Sequence, residues 1–378
     1  MLEEATVRTR NRELSNAFVV ALVAICSIEC AANADWTTSL LDSGNVRRAS
    51  IDVDPQGGVH IAYQFSDSGL MYCGSASGWQ TEEVDTLAEW CSIRAGSDGV
   101  PQIAYSGGVG GGHTHPLKYA SRTGGSWQSE LVDGGFDKGY HPSLALTDGN
   151  DPVIAHWCFQ GTFWHTLLYT VGNGAGSWNP LSDRLREGRH PSIALDSAGY
   201  AHIAARTNDH RLLYGTYNGT TWNWNTLESH VDHVPAIALG PGDVPQILYC
   251  TDAGTVKHRR WNGSSWDITE IDQGLATTPC GLALDSQGKP HAVYLSLDRR
   301  AAKYAQWTGT AWSTEIIAED LSPIGWYASG IDIYNDVPHV VLATGDGSGG
   351  EIIYAVPEPA TLSLLALGGF ALIRCRRI

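Results

Sequence analysis

Eight residues spread over the middle of the chain carry side chains that can hold a sugar ring: Trp90, His141, His156, Trp157, His190, Arg206, His233 and Tyr249. Indole and imidazole faces stack on the apolar face of a pyranose, and imidazole, guanidinium and phenol groups hydrogen-bond its hydroxyls. An imidazole is also a side chain that can take a proton near neutral pH, as β-elimination from a uronic acid requires. No local motif unites these residues; register does. Arg48, Trp90, His141 and His190 each stand two residues before a small residue that opens a short apolar run, and His233 stands three before one. His156, Trp157, Arg206 and Tyr249 lie at the end of the following run, with Trp164 and His165 in the segment beyond. The bland alternative is structural: His141-Pro142-Ser143 and His190-Pro191-Ser192 repeat a tripeptide whose imidazole would satisfy loop carbonyls.

Residues so far apart meet only if the elements that carry them repeat in space. The small head residues are Ser50, Ser92, Ser143, Ser192, Ala236, Gly281 and Gly330, with spacings of 42, 51, 49, 44, 45 and 49. Each opens an apolar strand such as Ser192-Ile193-Ala194-Leu195, followed by a tight Gly-containing turn such as Asp196-Ser197-Ala198-Gly199. A second strand follows (His60-Ile61-Ala62-Tyr63, His202-Ile203-Ala204-Ala205, His291-Ala292-Val293-Tyr294), then a third containing Leu212-Leu213-Tyr214 or Ile352-Ile353-Tyr354. The fourth begins with Trp79, Trp127, Trp178, Trp222, Trp266 or Trp312. Histidines recurring at the start of the second strand, His60, His202, His291 and His339, read as packing residues.

Four short strands per unit of about 47 residues, with Gly-rich turns and one Trp each, specify an all-β fold, a β-propeller of seven four-stranded blades. The seventh unit runs out at Tyr354 with three strands, and the missing one is at the other end of the chain, where Asp35-Trp36 and Leu40-Leu41-Asp42 match Trp127 and Leu131-Val132-Asp133. Closure by the N-terminal strand removes the open sheet edge at the ring seam.

The two ends read as addresses. Arg8, Arg10 and Arg12 precede the apolar run Ala17 to Ile28, and Ala32-Asn33-Ala34 offers a small-x-small cleavage site, so residues 1–34 are predicted to be a signal peptide, residues 35–355 the propeller and residues 356–378 a second signal. In that tail Val356-Pro357-Glu358-Pro359 leads into an apolar segment ending at Ile373, followed by Arg374, Arg376 and Arg377. Its apolar run of about 14 residues would make a hydrophobic helix of roughly 21 Å, short for a permanent transmembrane helix across a ~30 Å core. The tail resembles the PEP-CTERM sorting signal of Gram-negative bacteria that make exopolysaccharide. The resemblance implies recognition by an exosortase-type sorting protease, transient residence in the inner membrane and delivery to the cell envelope or extracellular matrix.

The segment between the signals has a net charge near −17, which repels phosphate backbones and argues against nucleic acid. Its five cysteines, Cys73, Cys91, Cys158, Cys250 and Cys280, include no Cys-x-x-Cys, and Cys250 and Cys280 are expected near one rim, where a bridge would be possible. No metal set, cofactor motif or catalytic residue is predicted. The turns Asn218-Gly219-Thr220-Thr221-Trp222 and Asn262-Gly263-Ser264-Ser265-Trp266 resemble the Asp-box of sialidase-like, BNR-type propellers with the aspartate lost. That box is a structural turn in its family and implies no activity. Sialidase chemistry would further need three convergent arginines, and the spacing of Arg206, Arg211, Arg259, Arg260, Arg299 and Arg300 singles out no such trio. The expected function is a binding or scaffold module with a preference for polysaccharide; the alternatives are a polysaccharide lyase or glycoside hydrolase acting at the propeller mouth, and a protein-interaction platform.

Overall fold

The computed structural model describes residues 35–358, apart from 66–68, 109–114, 136, 161–163, 173–175, 273–279, 297–299, 322–323 and 345–348. The described residues form 28 strands in seven four-stranded antiparallel sheets. Six blades are consecutive in sequence: blade one spans 46–85, blade two 88–133, blade three 140–187, blade four 189–229, blade five 231–272 and blade six 281–318. Blade seven takes its inner three strands from 324–357 and its outermost from Trp36–Gly44, which runs antiparallel to Gly350–Pro357 with Trp36 opposite Pro357. Each innermost strand touches those of its two neighbours, and the last touches the first, so the ring is closed as the repeat count predicts. The signal peptide expected at 1–34 and the hydrophobic sorting helix, with Pro359, Arg374, Arg376 and Arg377, lie outside the described residues. Among the described residues no helix is long and apolar enough to cross a membrane.

The small head residues have a physical reason. The hydroxyls of Ser50, Ser92, Ser143 and Ser192 accept hydrogen bonds from the amides of Ile93, Leu144, Ile193 and Ile237, each on the inner strand of the next blade, at 3.1–3.2 Å. At Gly281 and Gly330 the heads approach a neighbouring isoleucine instead: a Cβ on Gly281 would lie 2.9 Å from Ile331 Cγ2, and one on Gly330 3.1 Å from Ile51 Cγ2. Two aspartates add to this, Asp52 accepting from the Ala95 amide and Asp332 from the Val53 amide, both at 2.7 Å.

Farther out, seven aromatic pairs bolt the blades together. Tyr72–Trp127, Tyr119–Trp178, Tyr169–Trp222, Tyr214–Trp266, His258–Trp312, Tyr304–Trp36 and Tyr354–Trp79 each join one blade's third strand to the next blade's outer edge, with ring centroids 4.9–5.3 Å apart. Trp36 therefore performs in blade seven what the repeated tryptophans perform elsewhere. Trp79 departs from the pattern slightly, lying before its strand in a left-handed backbone conformation (φ 66°). The second-strand histidines hold these tyrosines: His60, His202 and His339 Nδ1 sit 2.6–2.9 Å from the hydroxyls of Tyr72, Tyr214 and Tyr354, and His291 pairs likewise with Tyr304. Their expected packing role is what the geometry gives.

A third set of contacts ties four of the blades, one, two, five and six, to their predecessors. Tyr63, Tyr105, Tyr249 and Tyr294 are fully buried and donate to Asp42, Asp85, Glu228 and Asp272, each at the end of the previous blade's outermost strand.

Candidate functional site

The residues two before Ser50, Ser92, Ser143 and Ser192 sit at β-bulges where inner and second strands lose register. Three such residues, Arg48 (φ 47°), His141 (φ 44°) and His190 (φ 53°), adopt the left-handed backbone conformation that non-glycine residues avoid. Strain of this kind costs roughly 1–3 kcal/mol per residue and concentrates where a side chain must be aimed. Here Arg48, Trp90 and His141 line one end of the central channel, a cavity of about 230 Å³.

Around that mouth the aromatic groups form a continuous array. The Arg48 guanidinium lies 4.5 Å over the Trp90 ring and reaches Gln64 Oε1 at 2.6 Å. Trp90 contacts His141 (centroids 4.5 Å) and Tyr140 (5.0 Å); His141 contacts His190 (4.3 Å); Tyr140 stacks on Trp157 (4.6 Å), which meets His165 edge-on (4.7 Å). The Nε1 atoms of Trp90 and Trp157 are buried and have no acceptor among the described residues. A buried N–H without a partner is unfavourable.

Burial pushes the His141 pKa well below the usual imidazole range, helped by the positive charges of His190, Arg48 and Arg189. A neutral imidazole offers one donor and one acceptor, the pattern that matches a hydroxyl. The array also includes residues that the sequence reading did not single out. His115 bonds Asp137 through Nδ1 at 3.0 Å and approaches Glu89 through Nε2 at 3.4 Å, while its ring lies 4.5 Å from Tyr140 and 5.7 Å from Trp90. Burial alone would lower the His115 pKa, but its bonds to Glu89 and Asp137 outweigh burial and raise it. The signal for Glu89 was its adjacency to Trp90; His115 follows the Gly-rich stretch 107–112, which offers no motif that would single it out.

Of the expected site residues, Trp90, His141, Trp157 and His190 come together. Others do not join them. His156 is fully buried, with Nδ1 donating to the Lys138 carbonyl at 2.5 Å and Nε2 facing the Thr170 hydroxyl at 3.2 Å, because it replaces the buried tyrosine of other blades. Tyr249 is one of those tyrosines; it accepts from Arg259 Nε at 2.9 Å and donates to Glu228. Arg206 donates to the Val231 carbonyl at 2.9 Å and pairs with His210 and Asp232, joining blade four to blade five. The side chain of His233 lies outside the described residues.

Among the described residues one group, His210, Asp232 and Asp252, brings ligand-type atoms within 4.8 Å of one another. Arg206 Nη2, 2.7 Å from His210 Nε2, already supplies positive charge there, so the group reads as an ion-pair network. Of the arginines considered for a sialidase trio, Arg211 pairs locally with Asp209 and Arg259 with Glu228. The Asp-box-like turns are structural, with Asn218 Oδ1 accepting the Thr220 and Thr221 amides and Asn262 Oδ1 those of Ser264 and Ser265, at 2.8–3.0 Å.

Similar folds occur among solved structures, two of them in complex with a sugar. Trypanosoma rangeli sialidase in complex with sialic acid superposes with a TM-score of 0.53 at 10% identity, covering 83% of this chain and 60% of the sialidase. A mutant of the Aleuria aurantia lectin AAL in complex with Fucalpha1-6GlcNAc gives 0.51 at 10% identity, covering 75% of this chain and 98% of the lectin. A mutant of AofleA from Arthrobotrys oligospora gives 0.50 at 13% identity, over 82% and 83%. The chain thus spans about 60% of the sialidase's length, and at these identities the likeness is one of fold. No curated protein matches the chain by sequence. Residues 355–377 match the PEP-CTERM protein-sorting motif, so this seven-bladed propeller carries that motif from the end of its last strand onward.

Proposed function

We propose that this is an exported propeller of the Gram-negative cell envelope or extracellular matrix that binds polysaccharide at the channel mouth of blades one to four, without cleaving it. The address rests on the sorting motif and on the signal-peptide pattern of residues 1–34. The observation that carries the binding reading is the array Arg48–Trp90–His141–His190 with Tyr140 and Trp157. Aromatic faces and a neutral imidazole suit a polyhydroxylated ring. The sugar-bound sialidase and lectin support the class of ligand by fold analogy only.

One arrangement favours a catalytic second reading. His115, held between Asp137 and Glu89 beside Trp90, is oriented as an acid–base residue would be. Its raised pKa favours the protonated form, which suits a general acid, as in glycoside hydrolysis, and not the base that β-elimination needs. The test is to incubate the purified protein with exopolysaccharide from an exosortase-bearing host and to score retention alongside release of reducing or unsaturated ends. Retention without new ends is expected. New ends lost in His115→Ala would establish the catalytic reading, and neither retention nor new ends would leave a protein-interaction platform.

A further inference from the structure

We infer that Cys250 and Cys280 form a disulfide that staples blade five to blade six. Their Sγ atoms lie 3.1 Å apart in the buried rim between the second strand of blade five and the start of blade six's inner strand. A disulfide needs the sulfurs at about 2.05 Å, a closure of roughly 1 Å. Cys250 is 2% exposed and Cys280 7% exposed, so the bridge would form as the chain folds rather than afterwards.

The location has a mechanical logic. At the four preceding junctions a head serine bonds the next blade's inner strand, but the head of blade five is Ala236, which has no hydroxyl. Blades six and seven use glycine heads packed closely on the next strand. The bridge would reinforce the junction that lacks the serine tie. Cys73, Cys91 and Cys158 take no part in this pair. Chemically, two thiols lose two protons and two electrons to form one S–S bond, and the electrons pass to a disulfide oxidant such as oxidised glutathione or an envelope thiol–disulfide oxidoreductase. The inference goes beyond the binding reading and does not depend on it.

The test is to unfold and reduce the purified full chain, refold it in a mixture of reduced and oxidised glutathione, block remaining thiols with iodoacetamide and digest with trypsin without reduction. Lys257, Arg259 and Arg260 lie between the two cysteines, so the Cys250 and Cys280 peptides separate unless bridged. One cross-linked peptide is expected, split by reductant, absent in Cys280→Ser and retained in Cys158→Ser. The bridged chain should melt about 5 °C above its reduced form, by closure of an intermediate-length loop, a gain that Cys280→Ser should lose. Recovery of Cys250 and Cys280 alkylated in refolded chain of native melting, or bridged to any other cysteine, would overturn the inference.

Discussion

At the scale of single residues, the fold spends strain and buried imidazole on one end of its channel. Arg48, His141 and His190 share a bulged register and a left-handed backbone, an arrangement that packing alone does not require, since other blades pass the same register without it. Residue types made this cluster legible in the sequence. What sequence could not separate was direction: at the end of the second strand Trp157 reaches the array while its neighbour His156 turns into the blade, because successive side chains of a strand alternate faces. His156 gives a prediction of its own. Burial lowers its pKa to about 4, against about 6.5 for an unperturbed imidazole, so the folded chain binds the proton less tightly than the unfolded chain. The stability it contributes is whole above pH 6.5 and is lost as pH falls from there toward 4, up to about 3 kcal/mol. Asp52 acts in the opposite sense over part of this window, because burial raises it to about 7 and favours proton uptake on folding. Urea unfolding between pH 7 and 4 should therefore show a smaller acid loss in His156→Asn than in the parent chain; equal slopes would contradict the assigned burial effect.

Among the elements, the blades are joined by three concentric sets of contacts, and only one was visible beforehand. The repeated tryptophans were plain, and each meets a tyrosine or histidine of the adjoining blade, as a buried structural role requires. The head serines appeared merely as small residues, because a hydroxyl that bonds the next blade's amide leaves no trace in spacing. The chain of buried tyrosine to preceding carboxylate was invisible for the same reason: Tyr105 and Asp85 belong to different blades. Replacing Trp266 by Ala removes the edge-on contact with Tyr214 and should cost about 3 kcal/mol, the low end for a large aromatic because the ring is only partly buried. Chemical denaturation checks this. A near-neutral effect would show that the junction of blades four and five is held by Ser192 and the Arg206 network instead.

For the whole molecule, closure by the N-terminal strand has two consequences. Trp36 and Thr37 lie opposite Pro357 and Val356, and the Glu358 amide donates to the Asp35 carbonyl at 2.7 Å, so the strand that seals the ring also holds the start of the sorting motif. Deleting Asp35 to Asp42 would expose the edge of Gly350–Pro357 and remove the Tyr63–Asp42 bond. Aggregation or a large fall in melting temperature is expected, read by light scattering and thermal unfolding; a monomer of unchanged melting temperature would contradict closure. The count of strands and the position of the odd one were legible because a repeat fixes both. The ligand was not, because its recognition depends on where the side chains at the bulges of four separate blades point.

The central claim is that sugar binds at the mouth of blades one to four, and the most direct measurement is equilibrium retention of a soluble exopolysaccharide by the parent chain, Trp90→Ala and Trp266→Ala at matched folding. The account predicts that Trp90→Ala weakens retention tenfold or more, about 1.4 kcal/mol, while Trp266→Ala, a distant junction residue, leaves it within twofold under conditions where both remain folded. Equal retention by the parent and Trp90→Ala, or loss only in Trp266→Ala, would contradict the assignment of the mouth and move binding to the blade rims.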